Sequence, residues 1–124
     1  MHLLLDTHIL LWWLADAPEL TESHRSAIQD KRNSCFVSAV TIWEISIKSS
    51  LGKLEIDDTY LDIIQSQGFE ELPISWRHAQ AVRSLPAHHK DPFDRLLIAQ
   101  AQVEGMTLLC QDAIIARYDV PVLG

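Results

Sequence analysis

The chain has 124 residues, a net charge of −7 at pH 7, 48% apolar residues and 22% charged ones. That length predicts one domain over residues 1–124 with a core of its own, and the apolar share excludes a disordered chain. The negative balance excludes a broadly basic nucleic-acid surface, so a nucleic-acid partner here needs positive charge from elsewhere, most simply from a bound divalent metal.

Leu3–Leu5 is a short unbroken apolar run, as expected of a strand buried on both faces. Residues 7–15 read as a helix that stops before Pro18. Thr21 suits the cap of a polar helix reaching about Arg32, and Cys35–Val37 reads as a second strand. Ser38 then caps a helix over 39–51, with Gly52 just past its end. A further helix is predicted over 58–67, an extended stretch over 69–74, and a short helix from the Ser75 cap to about Ser84. After the loop 85–90, Asp91 and Pro92 open a helix that runs to Glu104 and ends at Gly105. Residues 107–110 and 120–123 read as two last strands. Strands alternating with helices define an α/β fold, with a mostly parallel central sheet and helices on both faces.

Cys35 and Cys110 match no zinc or disulfide spacing and sit in apolar runs, so they read as reduced core residues. The first residues meet Asp6 after three leucines and carry no basic flank, which reads as neither signal peptide nor anchor. No apolar run approaches the ~20 residues of a membrane span. The expected location is the cytoplasm, with no membrane partner.

In open α/β sheets, ligands bind beyond the carboxyl ends of the strands. Two predicted strands run into an acid there, Asp6 after the first and Asp112 after Leu108–Gln111. Glu44, among apolar neighbours on one helix, and Asp94, in the first turn of another, are placed to approach the same rim. Each acid also has a plainer reading. Asp6 and Asp112 suit helix caps, and Glu44 suits a surface pair with Lys48 at i,i+4. Asp91 suits an N-cap, with Pro92 at N1 and Asp94 at N3, in the first turn, favoured by the helix dipole. Taken together, converging carboxylates repel unless a cation joins them. Oxygen ligands without a Cys or His partner point to Mg²⁺, or to Mn²⁺, rather than zinc.

The segments LLLDTHILLW, SAVTIWEISIKSSLGKL, DPFDRLLIAQA and LLCQD, in that order, resemble the successive signatures of PIN domains. They are similar in particular to VapC-like toxins of bacterial type II toxin–antitoxin pairs. The resemblance runs from Leu3 to Asp112. It implies that Asp6, Glu44, Asp94 and Asp112 are the catalytic, metal-binding acids, with Asp94 preferred over Asp91 because it precedes Leu-Ile-Ala-Gln-Ala. Thr7, Ser38 and Asp91 are implied to support them. The implied activity is Mg²⁺-dependent endonucleolytic cleavage of single-stranded RNA by a metal-activated water, leaving 5′-phosphate and 3′-hydroxyl ends. The implied partners are a cognate antitoxin and a second copy of the chain, as a homodimer.

His88, His89, Lys90 and Arg95 flank Asp91 and Asp94 and are the candidate RNA contacts. Trp12 and Trp13 point about 100° apart on their helix, so one of them is a candidate for a partner groove. Rival readings are a receiver-type phosphoacceptor, a phosphatase of the haloacid-dehalogenase type, and an inactive PIN-like protein-binding module. The first wants an acid pair at the first strand and the second wants Asp-x-Asp, where this chain has Thr7-His8.

Overall fold

Five parallel strands form the centre of the computed structural model, which describes residues 1–124. They are β1 (His2–Leu5), β2 (Ser34–Ser38), β3 (Glu70–Leu72), β4 (Thr107–Leu109) and β5 (Val122–Leu123), in the order β3-β2-β1-β4-β5. Six helices connect them: α1 (Thr7–Leu14), α2 (Glu22–Gln29), α3 (Ala39–Ser50), α4 (Tyr60–Ser66), α5 (Trp76–Ala81) and α6 (Pro92–Glu104). Single 3₁₀ turns follow at Val82–Ser84 and Ile115–Arg117. The expected α/β architecture is present, and every strand pair is parallel.

The strands alternate between two buried faces. Leu4 and Leu108 join Leu97, Ile98 and Tyr118 on one side, beneath α6. Leu3, Leu5 and Leu109 join Ile9, Leu10, Ile45 and Ile64 on the other, beneath α1, α3 and α4. Cys35 and Cys110 are buried free thiols in these cores, and burial pushes the Cys110 thiol up to about 12. Such thiols stay protonated and inert.

The chain builds outward from β1 through β2 to β3, then returns to lay β4 on the other side of β1. The reversal makes the carboxyl ends of β1 and β4 a topological switch point, where the crevice of an open α/β sheet lies. The pairing Leu5↔Leu109 and the bond from the Asp6 N–H to the Leu109 carbonyl, 2.9 Å, carry the two strands to that edge in step.

Several elements are shorter than the sequence pattern suggests. Helix α2 stops at Gln29 because Asp30 turns extended and its carboxylate takes the Arg32 N–H and guanidinium. Helix α4 begins at Tyr60 because Asp57 takes the Thr59 N–H and hydroxyl in a local turn. Pro73 and Pro121 cannot donate to a ladder, and β3 and β5 are correspondingly short. Gly105, at φ 67°, ends α6 in the left-handed region. No helix is long and apolar enough to cross a membrane.

Candidate active site

Asp6 follows β1 directly and occupies the N-cap position of α1, yet its side chain makes no capping hydrogen bond. It is 4% exposed, with His8 Nδ1 3.6 Å from its Oδ2. A buried carboxylate that neither caps a helix nor meets a strong cation has no structural task that repays its desolvation. The hydrogen bond to Asp6, with a lesser effect of its charge, raises His8 above the ordinary imidazole value, against the opposing effect of burial.

Glu44 is not a surface residue. It is 3% exposed, on the inner face of α3, where Thr7 Oγ1 donates to Oε1 at 2.8 Å. Lys48 Nζ donates to Oε2 at 2.5 Å, one helical turn on. The i,i+4 pair expected from sequence therefore exists, but it holds a buried carboxylate rather than decorating a solvated face. The Glu44 hydrogen bond raises the Lys48 pKa.

Asp94 enters from the first turn of α6. Asp91 caps that helix, accepting from the N–H groups of Phe93 (2.8 Å) and Asp94 (3.2 Å), with Pro92 at the first helical position. Asp91 is thus the cap and Asp94 the acid turned toward the rim. Burial, then the charges of Asp6 and Asp91, push the Asp94 pKa up to about 7, with Glu44 adding to the effect and His89 opposing it. These contributions place Asp6, Glu44 and Asp94 within one electrostatic neighbourhood.

Asp112 completes the rim through a histidine. His89 Nε2 lies 3.0 Å from Asp112 Oδ2 and 3.1 Å from Asp94 Oδ2. The ring's Nδ1 accepts the Asp91 N–H at 3.2 Å, which assigns the neutral ring's proton to Nε2, facing the two acids. Burial works against Asp112, but the His89 hydrogen bond and the Ile114 and Ile115 N–H groups outweigh it and hold its pKa low.

The candidate RNA contacts differ in what they touch. His89 points into the acids, and the cluster His89, Asp94 and Asp112 brings a nitrogen to a site expected to hold oxygen alone. Arg95 is committed to the fold: its guanidinium binds the carbonyls of Pro86 (2.8 Å), Val82 (3.2 Å) and Leu85 (3.4 Å) and the Tyr118 hydroxyl (3.3 Å). His88 packs edge-on against Tyr118, with ring centroids 5.0 Å apart. Lys90 is exposed on the same loop. Trp13 is half-buried, with its indole N–H on Gln67 Oε1 at 2.7 Å and its ring edge-on to Phe69. Trp12, also half-buried, lies against His8 beside the acids. Sequence reasoning did not single out His8 or Lys48 as site residues. Position i+4 from Glu44 was the signal for Lys48; for His8 it was adjacency to Asp6.

Ser38 supports the site from behind. Its hydroxyl accepts the Val40 N–H at the start of α3 and donates to Gln100 Oε1 on α6, 2.5 Å away. Gln100 Nε2 donates to the Pro73 carbonyl at 3.2 Å and lies 3.3 Å from His78 Nδ1. His78 Nε2 in turn meets Glu104 at 2.9 Å. This buried network locks α3, which carries Glu44, to α6, which carries Asp94.

The PIN domain family model matches residues 3–121, and the chain belongs to that family. PIN domains are generally nucleases. The chain is similar in structure to VapBC2 from Rickettsia felis bound to a promoter DNA fragment, with 18% identity, TM-score 0.76 and coverage of 99% of this chain and 98% of that one. It is also similar to DNA-bound VapBC from Salmonella typhimurium, with 15% identity, TM-score 0.72 and coverage of 99% and 97%. The PIN domain endonuclease Utp24 shares 17% identity, with TM-score 0.55 and coverage of 99% and 96%. At these identities the likeness establishes the fold. No curated protein sequence matches the chain. Family membership sets aside the phosphoacceptor and phosphatase readings.

Proposed function

We propose that the chain is a metal-dependent endoribonuclease that cleaves single-stranded RNA and acts as the toxin of a type II toxin–antitoxin pair. The observation that carries this reading is the pair of poorly compensated carboxylates, Asp6 and Asp94, at the switch point. Buried Asp6 caps nothing, and Asp94 is pushed to about 7 by burial and by its acidic neighbours. Hard oxygen donors in this number suit Mg²⁺, with Mn²⁺ the alternative that tolerates a nearby imidazole. Asp6, Asp94, Asp112 and Glu44 are the residues that would hold the ion. When bound, it supplies Lewis acidity and lowers the pKa of a coordinated water toward neutrality.

The chain's own contribution is preorganisation. Thr7 and Lys48 occupy one oxygen of Glu44 each and fix the carboxylate in one rotamer. His89 holds Asp112 against Asp94, and Asp91 sets the first turn of α6 so that Asp94 faces inward. These hydrogen bonds hold the acids in place before substrate arrives, which lessens the reorganisation needed during reaction.

The test is cleavage of an end-labelled single-stranded RNA by the purified chain, with Mg²⁺, with Mn²⁺ and with EDTA. Cleavage is expected with the metals only, giving 5′-phosphate ends, and Asp94→Asn abolishes it. Co-expression with the adjacent small reading frame is expected to give a stable complex silent toward RNA, and the free chain is expected to run as a homodimer. A chain that binds such a partner yet cleaves no RNA with either metal is an inactive binding module instead.

A further inference from the structure

A cavity of about 360 Å³ opens beside the acids, lined by Asp6, His8, Trp12, Gln111 and Asp112. Its chemistry differs from that of the rim. Trp12 is half-buried on α1, with its ring 6.0 Å from that of His8 and tilted 46° to it. Gln111 is exposed and brings an amide, donor and acceptor together, next to Asp112. Neither an indole face nor a neutral amide is needed to hold a divalent ion.

The charges nearby narrow what this cavity can bind. Lys48 is committed to Glu44, His89 to Asp94 and Asp112, and Arg95 to backbone carbonyls. A strand of RNA at the acids therefore finds basic grip for its phosphates only in exposed Lys90 and in His8 at the cavity wall, on a chain of net charge −7. Stacking on aromatic faces is the other general source of affinity for single strands, and it is indifferent to net charge.

We propose that this cavity is a nucleobase subsite: the base next to the phosphodiester held at the acids stacks on Trp12, and the Gln111 amide hydrogen-bonds its edge. The proposal rests on the reading of the chain as a single-stranded RNA nuclease and adds how it holds and discriminates its substrate. A guanidinium from a protein partner also suits an indole flanked by carboxylates. A divalent ion on those carboxylates repels a cationic side chain but leaves a neutral base unaffected, which favours the base.

The test measures binding of fluorescein-labelled single-stranded 12-mers of A, C and U by anisotropy, using the full chain carrying Asp94→Asn to prevent turnover. Trp12→Leu is expected to raise Kd about tenfold, within the range of one base–aromatic stack. Trp12→Phe, which preserves both packing and an aromatic face, is expected to retain most of the binding and guards against misfolding. Gln111→Ala, at an exposed position, is expected to change the order of preference among the three RNAs. A single abasic nucleotide placed along the strand is expected to cost the parent the same factor at one position and to cost Trp12→Leu nothing further there. Unchanged binding in Trp12→Leu and Gln111→Ala, or abasic and Trp12 losses that simply add, overturns the subsite. Loss of antitoxin binding with RNA binding intact overturns it too and assigns the cavity to a protein side chain. A parent that binds RNA through Trp12, while the wild-type chain cleaves none with Mg²⁺, overturns the nuclease reading alone; a parent that binds no RNA overturns both.

Discussion

Helices α3 and α6 meet twice, and the two junctions are built on opposite principles. At the rim, Glu44 on α3 approaches Asp94 on α6, and burial, together with the charges of Asp6, Asp91 and Glu44, pushes Asp94 to about 7. Deeper in the fold, Ser38, at the start of α3, meets Gln100 on α6, and His78 and the Pro73 carbonyl complete a buried network in which donors face acceptors. Burying polar groups costs little when their hydrogen bonds are made and much when like charges are left facing one another. The inner junction is thus able to hold the helices at a spacing that the outer one, without a cation, opposes. What is unfavourable for folding at the rim is what, on the proposed function, suits the rim to a divalent ion.

The largest effect expected from breaking this contrast is on activity. Asp94→Asn or Asp6→Asn keeps the side chain's shape and removes a charged ligand, so RNA cleavage falls by orders of magnitude while circular dichroism is unchanged. In EDTA these same variants melt higher than wild type, because repulsion is relieved. A substitution that kills activity and stabilises the apo chain distinguishes a charge cluster from an ordinary structural acid.

The inner junction responds in the opposite sense. Gln100→Leu leaves the Ser38 hydroxyl and the Pro73 carbonyl without their partner in a buried setting, at a cost of about 3 kcal/mol in urea unfolding. The loss is expected equally with and without Mg²⁺. A variant that instead lost stability only in the presence of Mg²⁺ would show that the two junctions are coupled.

Metal and pH then sharpen the comparison without mutation. Mg²⁺ at a hundredfold excess over its dissociation constant stabilises the wild type by about 2.7 kcal/mol. Calorimetric melts of Asp94→Asn at the same concentration are expected to show a smaller shift. In EDTA, the folded chain holds the Asp94 proton to about pH 7 whereas the unfolded chain releases it near pH 4. The native state therefore binds the proton more tightly, so this contribution is fully present below about pH 4 and is lost as pH rises through 7. Wild-type apo melts should rise by a few degrees as pH falls from 7.5 toward 5, and those of Asp94→Asn should rise less over that window, by the part that the raised His8 still contributes. Asp112, whose pKa is held low, loses its own stabilisation only at more acid pH, outside the window.

The smallest expected effect separates scaffold from substrate contact. Arg95→Met removes the guanidinium's bonds to three carbonyls and the Tyr118 hydroxyl. It should cost about 1–2 kcal/mol of stability and leave the Kd for single-stranded RNA unchanged. An Arg95 variant that weakens RNA binding in step with salt concentration would return this residue to the substrate surface.

The elements whose pattern is local were legible from the residues alone. Apolar runs marked the strands, and Thr21, Ser38, Ser75 and Asp91 do accept N–H groups at the helix starts where the sequence puts them. Two acids following apolar strands were enough to place Asp6 and Asp112 on one rim, because parallel strands share a carboxyl edge. What escaped was decided by side chains that reach across the fold. Nothing local distinguishes His89, which turns into Asp94 and Asp112, from Lys90 beside it, which is exposed. Nor does local sequence say that Arg95 folds back onto residues 82–86. Local propensity and hydrophobic periodicity act over a few residues and therefore belong to the sequence. Which charge meets which, and how far a carboxylate's pKa moves, depends on distances between segments remote in the chain, and only the tertiary structure sets those.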